Sequence, residues 1–119
     1  MAVIFHITTR AAFAKDKAYY SPPAFQTEGF VHCSTVDQVI RVADARFRGQ
    51  TGLVLLCLDT DKVNAQIRYE NLEGGQELFP HIYGEINTDA VVLVAEFEPG
   101  VDGYFSLPDV LALHENLTR

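Results

Sequence analysis

An α+β fold is predicted by three features of the sequence. The first half alternates strand and helix patterns, whereas the second half is a run of strands closed by a helix. Residues 53–59, LVLLCLD, are an unbroken apolar stretch, the pattern of a central strand covered on both faces. Residues 90–98, AVVLVAEFE, are the strongest strand pattern of the second half. The 119 residues, 48% of them hydrophobic, suit one domain, residues 1–119, with a real core.

The elements follow in order. Ala2 to Thr8 is rich in β-branched and aromatic residues and reads as a strand. Alternation places Val3, Phe5 and Ile7 on one face, and Ile4 and His6 on the other. Thr8 and Thr9 offer cap oxygens to a helix through RAAFAKDKAY, residues 10–19, which Pro22 and Pro23 stop. Ala24 to Glu28 reads as a short turn and Gly29 to Cys33 as a short strand. Ser34 or Thr35 then caps a helix from Val36 to about Arg48, and Thr35 with Gln38 has capping-box spacing. That helix places Val36, Val39, Ile40, Ala43 and Phe47 on one face. After the central strand, Gln66 to Glu70 alternates as a strand, and NLEGGQELFP, residues 71–80, reads as a loop. Residues 81–90 mix a short strand with a turn at Asn87 to Asp89. Ser106 and Pro108 open a last helix through Leu111 and Leu113.

Composition narrows the function classes. The formal net charge is -7, with nine Lys and Arg, and only Arg41, Arg46 and Arg48 cluster. Extensive nucleic-acid binding, which needs a basic patch, is disfavoured; a small-molecule ligand or a protein partner fits better. No apolar run reaches the ~20 residues that span a bilayer. The N-terminus reads as lacking a signal peptide, and the two cysteines are no disulfide framework, so a cytoplasmic location is expected.

Three histidines sit in predicted core elements: His6 in mid-strand, His32 at a strand end, His81 at a strand start. Each alone is most simply a satisfied structural histidine; convergence would make a pocket. His114, near a helix C-terminus, reads as surface. The spacing of His6, His32, Cys33 and His81 matches no metal motif, so no metal is expected. Cys33 points to the opposite face from His32 and reads as a small core thiol, as does Cys57. Ser34 and Thr35, at a helix start, can border an anion site. Phe79 and Tyr83 are candidates to wall a flat ligand, with a core role as the simpler reading. Glu70, Glu73, Glu77 and Glu85 are the nearest carboxylates, and Gly74–Gly75 is no phosphate loop. A hydrolase using an imidazole as general base is a further reading.

FHIT at residues 5–8, EGFVHCST at 28–35 and FPHIYG at 79–84 together resemble the domain of unknown function 952 family, from His6 to about Phe97. That family is grouped by fold with the ADP-ribosyltransferase superfamily. The resemblance implies a split, mostly antiparallel sheet with flanking helices and a cleft for NAD as substrate. By position His6 would hold a ribose hydroxyl and His32 would border the nicotinamide. The third catalytic position, usually a glutamate, falls by strand order on His81, with Glu85 as the fallback. Two readings follow: an enzyme cleaving the nicotinamide–ribose bond, or a non-catalytic module binding a nucleotide or other anion.

Overall fold

The computed structural model describes residues 2–113. The strands are β1 (Val3–Thr9), β2 (Tyr19–Tyr20), β3 (Val31–His32), β4 (Leu53–Asp59), β5 (Gln66–Glu70), β6 (Phe79–Tyr83), β7 (Ile86–Asn87) and β8 (Val91–Phe97). Two helices, α1 (Phe25–Glu28) and α2 (Val39–Arg46), flank them, with 3-10 turns at Thr88–Ala90 and Asp109–Leu113. The fold is α+β, and its strands pair antiparallel throughout.

Two three-stranded sheets, in orders β1-β4-β8 and β3-β6-β5, carry the architecture, beside the small β2-β7 pair. Their backbones join at one point. Phe5 and Ser34 exchange both backbone hydrogen bonds, each at 2.8 Å, and no further rung joins β1 to β3. The sheet is thus split beside Phe5, and His6 stands at the fork.

β4 is buried along its whole length, as its apolar run requires. One face packs Leu53, Leu55 and Cys57 with Phe5, Ala95, Phe97 and the inner side of α2. The other packs Val54, Leu56 and Leu58 with Ile4, Val31, Cys33, Ile82 and Ile86. The predicted face of α2 holds: Val39 and Ala43 are buried, and Val36, Ile40 and Phe47 pack against the same core. The second sheet alternates too. Val31 and Ile82 enter the core, which leaves His32 and His81, cross-strand partners, on the outer face.

Several expectations are corrected. Residues 10–18 form turns and bends, not a helix, before the unforeseen strand β2, which takes Tyr19. Thr9 Oγ1 does accept the Ala12 amide, but most of the segment is exposed and buries no apolar stripe to sustain a short helix. α2 begins at Val39, later than predicted, and neither Ser34 nor Thr35 caps it through a hydroxyl. The Thr35 carbonyl takes the Gln38 and Val39 amides, and Gln38 Oε1 accepts the Thr35 amide, the glutamine half of the capping box. Phe79 and Pro80 belong to strand β6 rather than the preceding loop. The last helix is a 3-10 turn as far as Leu113; His114 lies outside the described residues.

Gly84 is required for space rather than for an unusual φ. A Cβ there would stand 2.7 Å from the Ala65 Cβ. Gly84→Ala is therefore expected to destabilise the fold by about 1–3 kcal/mol, measured as a lower midpoint in chemical denaturation.

Candidate functional site

The outer face of β3 and β6 forms one wall of a cleft of about 620 Å³. The β1 segment around His6 borders it at the fork, Arg41, Val42, Ala45 and Arg46 of α2 close another side, and Glu70 to Glu73 form part of the rim. His6, His32 and His81 all line it, as do Ser34 and Phe79.

His6 is buried where the backbone ladder stops. Its Nδ1 lies 2.7 Å from the His32 carbonyl, which fixes a proton on Nδ1, since a carbonyl only accepts. Nε2 lies 3.1 Å from the Tyr20 hydroxyl, itself 2.7 Å from Thr8 Oγ1. Either hydroxyl can donate in that pair; with Nε2 as acceptor, Tyr20 donates to the imidazole and Thr8 to Tyr20. Burial lowers the His6 pKa to about 4, so the ring is neutral near pH 7. His6 therefore ties β1 to β3 by a side chain across the gap in the sheet.

His81 is buried against Phe30, with ring centroids 4.5 Å apart, and its Nδ1 donates to Glu70 Oε1 at 3.0 Å. The Tyr83 hydroxyl donates to the same oxygen. These two bonds, Tyr83 first, hold the Glu70 carboxyl below the usual carboxylate range. With Nδ1 committed to Glu70, Nε2 is the ring nitrogen left to accept a proton. Glu70 sits on the same face as His81 because β5 pairs Arg68 with His81 and Glu70 with Phe79. His32 is exposed, packs edge-on to Phe30 and to His81, and reaches Glu28 at 3.1 Å through Nε2.

The remaining candidates are dispersed. Thr35 is spent on the turn into α2. Tyr83 stacks beside Phe30 and under the Arg68 guanidinium, and serves the site through Glu70. Glu85 accepts the Ser21 hydroxyl at 3.4 Å and does not line the cleft. Cys33 is buried and its thiol pKa pushed up, so it is a poor nucleophile. Among the described residues no cluster of three or more His, Cys, Asp or Glu is arranged to hold a metal ion. No helix among them is long and apolar enough to cross a membrane.

Sequence reasoning passed over Glu28 and Tyr20 entirely, and weighed Glu70 without choosing it. Glu28 meets His32 because the left-handed turn at Gly29 folds the end of α1 back beside β3, which the sequence pattern does not show. Glu70 became a neighbour of His81 only through the β5–β6 register.

Residues 4–94 match the family described as protein of unknown function (DUF952). Protein CC0527 from Caulobacter crescentus has a similar crystal structure, with a TM-score of 0.81 and 31% identity, covering 93% of this chain and 99% of that one. The solution NMR structure of CC0527 gives 0.79 and 32%, covering 95% and 99%. No curated protein matches the chain.

Proposed function

The chain belongs to the DUF952 family, a family of unknown function, and from that premise we propose that its cleft binds NAD or a related nucleotide and cleaves the nicotinamide–ribose bond. The observation that carries this reading is the convergence of His6, His32 and His81 on one cleft together with Glu70. An ADP-ribosyltransferase-like arrangement belongs to the same proposal, since the sheet splits beside the first-strand histidine.

The chemistry needs a negative group where positive charge grows. As nicotinamide leaves with the bonding pair, the ribose becomes cationic, and a fixed carboxylate lowers that barrier. In this reading Glu70, rather than His81 or the fallback Glu85, takes the third position, which is supported by its place in the cleft beside His81. It is kept ionised by the donors Tyr83 and His81, and its position is set by both. His81 Nε2 then accepts the proton of the incoming water or acceptor hydroxyl. Phe30 and Phe79 offer flat apolar surface. His6, neutral and fully bonded, acts as a positioning residue: it fixes the His32 backbone.

A binding-only module is favoured by one observation: Glu28 and Glu70 are both already engaged by side chains. One experiment separates the readings. Purified protein is titrated with NAD by calorimetry and the mixture assayed for free nicotinamide. Binding with release is the expected result; binding without release identifies the module, and neither sinks the nucleotide reading.

A further inference from the structure

Two cations on the cleft wall have no part in the chemistry above. Arg41 and Arg46, on α2, both line the cleft. Each is held by a carboxylate of the loop between β5 and β6. Arg41 forks onto Glu77, Nη1 to Oε1 at 3.2 Å and Nη2 to Oε2 at 2.6 Å, and Arg46 Nη2 reaches Glu73 Oε1 at 2.5 Å. We infer that Arg41 and Arg46 are the anion-binding end of the cleft, taking a diphosphate in exchange for the carboxylates of Glu77 and Glu73. The inference rests on the nucleotide reading and deepens it.

Three features argue for the exchange. First, both pairs are solvated, the four side chains keeping between 41% and 69% of their surface. Exposed ion pairs hold weakly and are screened by salt, so a doubly charged competitor displaces them readily. A guanidinium fork accepts a phosphate with the same geometry as a carboxylate.

Second, the loop survives the loss of these ties. Asn71 closes it from within: Nδ2 donates to the Glu77 carbonyl at 2.7 Å, and Oδ1 accepts the Glu73 and Gly75 amides at 2.8 and 2.9 Å. Gln38 Nε2 also holds the Leu78 carbonyl at 2.7 Å. Releasing Glu73 and Glu77 from the arginines thus costs the loop little internal structure.

Third, the walls of the cleft carry different charged groups. Glu28 and Glu70 stand with the histidines, whereas the arginines stand on α2. That division matches a ligand with a cationic ring at one end and a diphosphate further along. Glu73 also lines the cleft, so its carboxylate borders the space such an anion would enter.

The test uses inorganic pyrophosphate and NAD as probes in calorimetry, at low and raised salt. Wild type is expected to bind pyrophosphate, less tightly as salt rises. R41Q/R46Q is expected to weaken binding by about tenfold or more. E73Q/E77Q is expected to tighten it severalfold, because the competing charges are gone while the side chains keep their shape. All four positions are exposed, so thermal melts should stay near wild type. Pyrophosphate that fails to bind, binding unchanged in R41Q/R46Q, or binding weakened in E73Q/E77Q would overturn the inference. NAD binding that ignores R41Q/R46Q overturns it and leaves the nucleotide reading standing. Pyrophosphate binding with the expected pattern, but no NAD binding, overturns the nucleotide reading and leaves the arginine site standing.

Discussion

His6→Ala is expected to lower stability by about 3 kcal/mol at pH 7, because it leaves a cavity and strands two buried polar partners. The His32 carbonyl and the Tyr20 hydroxyl both lose the imidazole. His6→Asn should recover part of the loss, since Asn Nδ2 stands where His Nδ1 does and can donate to the same carbonyl. The pH dependence distinguishes this role from simple packing. The folded-state pKa is about 4, below the ordinary 6.5, so between those values the unfolded chain binds more protons. Stability is then fully present above about pH 6.5 and falls as the pH drops toward 4, by a total on the order of 3 kcal/mol. Glu70 and Glu77, held low by Tyr83 and Arg41, lose their contribution only below the usual glutamate value of 4.5, in a more acid window. Denaturant titrations at pH 7, 5.5 and 4 should show the upper slope in wild type and not in His6→Asn. An unchanged slope in the variant would assign the acid loss to other groups.

Glu70→Gln is expected to reduce nicotinamide release by about 10²–10³-fold while NAD affinity moves only a few-fold, if the cleft cleaves NAD. The amide oxygen of Gln can still accept from His81 Nδ1 and from the Tyr83 hydroxyl, so the geometry is kept and only the charge is removed. Glu85→Gln is the control, since that carboxylate lies outside the cleft and pairs with Ser21. Single-turnover release and calorimetric affinity measured on the same samples separate a lost charge from a lost pocket. Equal release from wild type and Glu70→Gln would remove Glu70 from the mechanism.

The parts of the fold legible in the sequence are those dictated by burial. LVLLCLD had to be covered on both faces, and it is. Alternation along β1 separated His6 from Phe5 correctly, because that pattern reports which face a side chain leaves by. The segment after β1 misled: Ala and Lys favour a helix locally, but helices this short form only with an apolar face to bury. The lining of the candidate cleft was legible in its histidines and illegible in its acids. His6, His32 and His81 lie within strands whose faces can be read. Glu70 reaches His81 through strand register, which no local pattern encodes. The cap expected from a hydroxyl of Ser34 or Thr35 comes instead from a side chain three residues on: Gln38 completes the turn into α2.

The sheet order has a consequence for the entropy of assembly. β4 pairs with β1 and β8, never with a neighbour in sequence: Val3 meets Asp59, and Leu53 meets Phe97. Each of those ladders closes a long stretch of chain before its first hydrogen bond forms, and the cost grows with the logarithm of the length closed. β5 and β6 meet across one short loop, Glu70 beside Phe79. Among the strand pairings of the described residues, the least expensive closure therefore lies between the two strands that carry Glu70 and His81, and the costliest lies in the β2-β7 pair, where Tyr20 meets Ile86.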